Sequence, residues 1–542
     1  MPTRGERLLP SRTAAARGAQ RSLLTLAARC DRLRQLMQPK LLIFVLTIGL
    51  ACTGFGQSSS NTRSISLAEC IQLALQHNLD VQIERYAPDI AHYNLSVAYG
   101  AYDPLFRFGA RENFASVPLQ VDPKKPGADF PYELTVDSFA PGILGYLPSG
   151  LSYEVSGAAE FLGSRTELAR SQLYPDGIRL TNEYATSAAI TLRQPLLKDF
   201  WIDATRQQIR LSRKDIKISE LALRQQIINV VTKVQLSYYE LAFALEKVKV
   251  ERQALQLAAQ LLKETKRRVE VGDLPPLDEK QAEAQVETVQ TGVFAAEQAV
   301  AEEQTHLLNL LTDDFKSWSG GTLEPAENLT ATATPFDRTA SWQKALKLRP
   351  DLLQFRLELD KRDLVVRYRF NQLFPSLDVV GSYGGRGVRS TFGAAAGDLG
   401  DFHSPAYSYG VVLAVPLSNW SARKSHQASL ALKKQTELQL RKLEQEILIQ
   451  VDIAGKQTET EFKRVNSTRR ARHFAEAALE AEQKKLQNGA STGFTVLQLQ
   501  RLLTEARSAE VRALADHNKA LVQLAFSEGS TLEKLPLNIE VK

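Results

Sequence analysis

The chain is poor in the residues on which most chemistry depends. Its 542 residues include three cysteines, two methionines and seven histidines. The histidines (His77, His92, His306, His403, His426, His473 and His517) are scattered without metal-ligand spacing. No glycine-rich run carries the Lys-Ser or Lys-Thr of a phosphate loop. Gly381-Ser382-Tyr383-Gly384-Gly385 ends a strand-like segment, where glycine serves flexibility. The abundant Glu and Lys residues on helices read as solvated faces, not catalytic pairs. No enzymatic activity, cofactor or metal is expected. Long apolar runs are also missing: Leu41–Ala51 falls well short of the ~20 residues that carry a helix across a bilayer. Cys30, Cys52 and Cys70 give no disulfide framework, because removal of a leader would leave Cys70 alone.

A basic surface for nucleic acid is absent as well. The net charge is +6, but residues 1–56 hold nine basic and two acidic side chains, a net of +7. The remaining 58 basic and 59 acidic residues nearly cancel, and no basic patch with interleaved aromatics survives there. The leader has the form of an export signal: Arg and Lys, then Leu41–Ala51, then small Gly54 and Gly56 before polar Gln57–Asn61. Its basic region is long. Either translation starts at Met37, or residues 1–36 are an unstructured extension. An uncleaved anchor, and lipidation at Cys52 after Leu50-Ala51, are the alternatives.

What is present is an internal duplication. Ala74-Leu75, Asn78-Leu79-Asp80, Arg85 and Pro104 align with Ala345-Leu346, Arg349-Pro350-Asp351, Arg356 and Pro375, all 271 positions apart. Pro195-Leu196 and Gly272 recur as Pro416-Leu417 and Gly489. Each copy reads helix, strand, interval, strand, very long helix, tight turn, helix. The first copy spans 57–312, the second 339–530, with a Gly- and Pro-containing linker at 313–338 and a tail at 531–542. Helices are expected at 66–99, opened by a Ser66/Glu69 capping box, and at 203–271, 279–312, 340–373, 424–488 and 494–527. In 203–271, Ile227, Val231, Val234, Tyr238, Leu241, Leu245 and Val248 alternate steps of four and three, a coiled-coil seam. Ile228, Val230, Leu236 and Phe243 add a second apolar flank. The long helices measure about 100 Å at 1.5 Å per residue, so two half-length helices end to end match one of them.

Four short segments alternate with period two. Tyr407, Tyr409, Val411, Leu413 and Val415 share one face; Leu377, Val379 and Tyr383, then Phe106, Phe108 and Ala110, then Ile190 and Leu192 form the others. Their length suits tilted transmembrane strands with an apolar outer face; small soluble hairpins are the other reading. Four strands cannot close a barrel, and lipid tolerates no open edge, so several copies must share one. The first copy carries about 50 extra residues between its strands, with the composition of external loops; within them 151–162 extends a hairpin outward.

Over about residues 65–530 these features resemble the TolC-like outer-membrane efflux family. The motifs are Ser66-Leu67 through Asn78-Leu79-Asp80, Arg349-Pro350-Asp351 with Phe374-Pro375-Ser376-Leu377, Pro195-Leu196, Pro416-Leu417, Val271-Gly272, Asn488-Gly489 and the closing Asn518–Gly529. The resemblance implies a mainly α protein with transmembrane β structure. Four strands per protomer would enter a shared trimeric 12-stranded barrel that continues into a long periplasmic helical barrel. It implies an outer-membrane location in a Gram-negative bacterium and a passive exit duct for efflux or type I secretion. The implied partners are a homotrimer, outer-membrane lipid, a periplasmic membrane-fusion adaptor and, through it, an inner-membrane RND, ABC or MFS pump. The adaptor-docking residues implied at the two helix-turn-helix tips are Val271, Gly272, Asp273, Leu274 and Leu277, with Asn488, Gly489 and Phe494. In the best-known member two acidic residues after the second tip ring the closed aperture. The matching positions here are Thr495 and Gln498, so that ring is absent, and Asp278 is the nearest acidic residue. A pore-less periplasmic or secreted coiled-coil scaffold is the competing function, but it gives no reason for two-faced strands in both copies.

The leader reading predicts a mature protein that begins near Gln57. N-terminal sequencing of membrane-purified protein checks this; retention of Leu41–Ala51 counts against it, and an acyl group on Cys52 establishes the lipoprotein alternative.

Overall fold

The computed structural model describes residues 63–117, 132–167, 178–272, 274–316, 322–333, 335–401, 403–488 and 490–534. The expectations for the leader, and for Asp273 and Gly489, lie outside the described residues. In chain order the elements are β1 (Arg63–Ile65), α1 (Leu67–His77), α2 (Leu79–Tyr99), β2 (Leu105–Val117), β3 (Tyr132–Tyr146), β4 (Ser152–Glu167) and β5 (Ile178–Pro195). Then come α3 (Ala204–Glu270), α4 (Pro276–Leu311), β6 (Leu323–Pro325), α5 (Arg338–Leu348), α6 (Pro350–Asn371), β7 (Ser376–Arg389), α7 (Phe392–Gly400), β8 (Pro405–Ala414), α8 (Trp420–Gln487) and α9 (Gly493–Glu528).

The helix expected at 66–99 is two helices. The Ser66/Glu69 capping box forms at the start, with Glu69 N donating to Ser66 Oγ at 3.2 Å and Ser66 N to Glu69 Oε2 at 3.0 Å. At Asn78 the backbone turns extended, and its side-chain oxygen accepts from Asp80 N and Val81 N at 3.0 and 3.3 Å, a new N-cap inside an apolar run. The helix expected at 340–373 divides in the same place, at Arg349, because a residue before proline is disfavoured in the α region. Both breaks are joints. Asn78 is buried, and its amide nitrogen donates to Leu310 O on α4 at 3.1 Å.

The long helix α3 has 67 residues and α8 has 68. The expected seam is inside: Ile227, Val231, Val234, Tyr238, Leu241 and Val248 are buried, as are Ile228 and Val230 on the second flank. The main core lies half-way along α3. There Leu223–Leu241 meet Ile71, Ala74 and Val81 from the α1–α2 pair and Leu307 and Leu311 from α4. Two shorter helices therefore abut end to end along the long one. In the second copy Ala345 and Leu352 meet Ile447 and Val451 of α8 in the same manner. Residues 313–338 contribute β6, which pairs in parallel with β1 from Arg63↔Leu323 to Ile65↔Pro325 and buries Leu323 in that core. Ion pairs stitch the copies together: Lys214–Asp360 at 2.6 Å, Lys361–Asp215 at 2.7 Å and Arg512–Glu240 at 2.8 Å. Cys70 sits in the core, where burial pushes its thiol up to about 12, so it is inert.

The sheet corrects the expectation of four strands. It has six, in the order β2-β3-β4-β5-β7-β8, and every neighbouring pair is antiparallel. The interval expected to be an external loop folds largely into β3 and β4, inserted between β2 and β5. They run the full height of their neighbours, from Leu105↔Leu144 on one side to Ser152↔Arg193 on the other. The turn between them sits at the helical end, where Gln194 Nε2 donates to Ser149 O at 3.1 Å. Gly150 there has φ +85, and a Cβ on it would stand 3.1 Å from Asp199 O. This turn enters no helix. Three six-stranded sheets would bring eighteen strands, where the expected trimeric barrel takes four from each of three copies.

The end of α9 docks on the α5–α6 break. Gly529 (φ +71) caps the helix, and a Cβ on it would lie 3.1 Å from Arg349 N and Cγ. Arg349 donates to Asp351 Oδ2 at 2.6 Å, to Gln450 Oε1 at 2.8 Å and to Ser527 O at 3.3 Å. Beside it the buried Glu528 accepts from Ser341 Oγ at 2.6 Å and Ser530 Oγ at 2.9 Å. Burial alone would raise this carboxyl, but the two hydroxyls and Lys534 hold it below its ordinary value. Its contribution to stability is thus complete above the usual carboxylate range and is lost as pH falls through the lower folded-state value. Gly529→Ala is expected to cost about 1–2 kcal/mol from the left-handed backbone alone, with the Arg349 contact adding to it; denaturant unfolding of the purified protein measures the loss.

Candidate functional site

At the far end of α3 and α8 from the sheet, the chain reverses twice. In the first tip Val271 caps α3, and Gly272 takes φ +82 while its N–H donates to Val269 O at 3.0 Å. That backbone conformation is why glycine stands there. Pro275 and Pro276 then start α4, where a missing N–H costs nothing. In the second tip Asn488 N donates to Lys484 O at 3.2 Å and Ala490 N to Lys485 O at 2.9 Å. Thr492 caps α9 by accepting from Thr495 N at 3.4 Å.

The two tips stand side by side, a juxtaposition that no local sequence signal reveals. Leu261 of α3 packs with Leu479 of α8 and with Val496 and Leu503 of α9. A cleft of about 200 Å³ separates the hairpins, lined by Leu257, Glu264 and Arg268 on one side and Gln483, Leu486 and Gln500 on the other. Beyond this packing Val271, Leu277 and Phe494 are 75, 64 and 62% exposed. Leu274, expected to be exposed with them, is half-buried. On the flank of α4, Lys280 donates to Glu283 Oε2 at 2.7 Å; this raises the lysine and lowers the carboxyl, but at the surface such a pair is worth little.

The aperture candidates are not equivalent. Gln498 is exposed; Asp278 and Thr495 are half-buried. The Thr495 hydroxyl lies 3.0 Å from that of Thr492, so it is committed to the cap. The run Gly489-Ala490-Ser491-Thr492-Gly493 has the Gly-x-Ser-x-Gly spacing of a hydrolase elbow. An elbow joins a strand to a helix. This run joins two helices, and Ser491 Oγ donates to Glu482 Oε1 at 2.6 Å as a structural bond. Among the described residues no cluster of His, Cys, Asp and Glu could hold a metal ion.

The second part of the site is the sheet. Register places Tyr407, Tyr409, Val411 and Leu413 on one face with Leu377, Val379 and Tyr383 of β7 and Ile190 and Leu192 of β5. Val415 lies one residue past β8. The same face continues across the inserted hairpin through Tyr153, Val155 and Phe161 of β4 and Phe139 and Ile143 of β3, then ends on Phe106 and Phe108 of β2. The opposite face carries Arg107, Glu154, Arg193, Asp378, Ser382 and Ser408. There Arg107 meets Glu154 at 3.3 Å, Arg193 meets Asp378 at 2.5 Å, and the two serine hydroxyls are 2.7 Å apart. One face is apolar and aromatic, the other small and polar. Among the described residues no helix is long and apolar enough to cross a membrane.

No curated relative matches the chain. Among solved structures it is similar to the outer membrane channel CmeC of Campylobacter jejuni, at 14% identity and TM-score 0.61 over 91% of this chain and 94% of that one. The outer membrane protein VceC of Vibrio cholerae gives 15% identity and TM-score 0.60 over 85% and 96%. The open state of the MtrE outer membrane channel of Neisseria gonorrhoeae gives 14% and 0.58 over 92% and 98%. At these identities the likeness is one of fold. The sequence model for outer membrane efflux proteins matches residues 159–312 and 342–530, well over half the chain and a segment of each copy. With its duplicated long helices and its two-faced sheet, the chain belongs to the TolC-like outer membrane efflux protein family.

Proposed function

We propose that this protein is the outer-membrane exit duct of a tripartite efflux or type I secretion system, working as a trimer. Cargo passes through it passively from an inner-membrane pump of the RND, ABC or MFS type, handed on by a periplasmic membrane-fusion adaptor. The observation that carries this reading is the separation of two surfaces by helices about 100 Å long: a sheet with an apolar belt at one end, and paired hairpin tips with exposed Val271, Leu277 and Phe494 at the other. The belt suits contact with outer-membrane lipid. The tips suit a protein partner, because clustered exposed apolar side chains mark an interface and a matching hairpin extends the same seams. Asp278, Thr495 and Gln498 stand where the duct would constrict, with Gln498 the one of the three free to face a lumen. A pore-less scaffold leaves the apolar belt without a role.

Two measurements test this. Proline cannot adopt φ +82 and lacks the N–H that Gly272 gives to Val269. Gly272→Pro should therefore abolish export in cells, with the yield of assembled outer-membrane protein unchanged; normal export by this variant would remove the tips from the docking role. Val411→Arg should cost about 2–4 kcal/mol if the side chain meets the bilayer midplane, read as a loss of heat-modifiable protein in the outer-membrane fraction. Unimpaired assembly would reverse the assignment of that face.

A further inference from the structure

We infer that the membrane-spanning wall of this duct has six strands from each copy, so that three copies close an eighteen-stranded barrel with β2 of one copy paired to β8 of the next. The inference rests on the trimeric-duct reading and adds the identity of the inserted hairpin. That hairpin is wall, not loop. It is hydrogen-bonded along both flanks, from Leu105↔Leu144 to Val117↔Tyr132 and from Ser152↔Arg193 to Glu167↔Ile178. Its turn reaches the base of the sheet at Gln194. It carries the same two faces as the other strands: Phe139, Ile143 and Val155 on the apolar side, Ser138, Glu154 and Ser156 on the polar side.

The two outer strands supply the join. β2 and β8 each pair on one side, and Phe106, Phe108, Tyr407 and Tyr409 on them are 65, 59, 74 and 86% exposed. Such edges are not tolerated in lipid. Because the sheet is antiparallel throughout and has six strands, its two edges run in opposite directions. Head-to-tail contact of identical copies is then antiparallel as well, and rotation closes it into a ring. Barrel diameter rises about linearly with strand number, so eighteen strands give ~1.5 times the width of twelve. Eighteen-stranded barrels leave an aqueous channel, and this one would be lined by the small polar face.

The test uses full-length protein in mild detergent and in native outer membrane. Light scattering reports the number of copies. Two double-cysteine variants report the wall. Phe106→Cys with Ile143→Cys joins registered neighbours on β2 and β3 and should form an intrachain disulfide. Phe106→Cys with Ile190→Cys spans three strand spacings, about 14 Å, beyond disulfide reach, and should not. A Ser382→Cys variant labelled from outside with maleimide polymers of graded size reports the bore. The size limit should fall when residues 118–177 are replaced by a two-residue turn, which removes the hairpin. A trimer showing the first cross-link, lacking the second and losing large-polymer access on hairpin removal supports the inference. A trimer in which Phe106→Cys and Ile190→Cys cross-link places β2 against β5 and overturns it, while the trimeric duct stands. A dimer overturns the trimer and the eighteen strands together.

Discussion

Everything in the helical part depends on one packing constraint. Helices of 67 and 68 residues have apolar flanks much longer than an ordinary helix can cover. The solution is to lay shorter helices end to end along them. Each abutment leaves helix termini in the interior, where unpaired N–H and C=O groups are costly. The joints are therefore the most chemically specified places in the molecule. Asn78 satisfies the N-terminus of α2 and the carbonyl of Leu310 with a single side chain. Arg349 serves the second copy from the other direction, holding the end of α9 through Ser527 O, with Asp351 fixing its fork. The two copies preserve the joint and use different chemistry to build it.

The same elements show what could be read from the sequence. The long helices were legible because α3 repeats its seam over several turns with neither proline nor glycine, and α8 carries no proline and a single glycine, Gly455; their ends fall within a few residues of expectation. Strands β5, β7 and β8, and the start of β2, were legible from alternation. Strands β3 and β4 were not. Pro141, Gly142 and Gly145 break β3, while Asp137, Glu154 and Glu160 place charge in the middle of both strands. That composition reads as loop, and only pairing with neighbours makes it sheet. Propensity in strands is largely a statement about such neighbours. Strands β1 and β6 are three residues each, too short for any period to register. The break at Asn78 was hidden because the apolar pattern continues through it, and an asparagine inside a helix carries no stop signal by itself.

The candidate site was legible in its parts and not in its assembly. Both turns were visible as glycines closing long periodic segments, and Val271, Leu277 and Phe494 stand exposed there. That the two hairpins pack against each other through Leu261, Leu479, Val496 and Leu503 is tertiary, and it is what turns two turns into one surface. The capping role of Thr495 separates it from Gln498, although the two positions looked alike in the sequence.

The turn at 147–151 is joined to no helix, whereas β2, β5, β7 and β8 each continue toward one. Girth at the sheet is therefore decoupled from the helix count beneath it. A further hairpin at this point widens the molecule by two strands at a time without touching a single residue of the tips. Parity protects the arrangement. An added pair restores the opposed direction of the outer strands, whereas a single added strand would send the chain back on the wrong side of the sheet. The width of the sheet and the tips can thus vary independently in this architecture, and the interval between β2 and β5 is the place where the first is set.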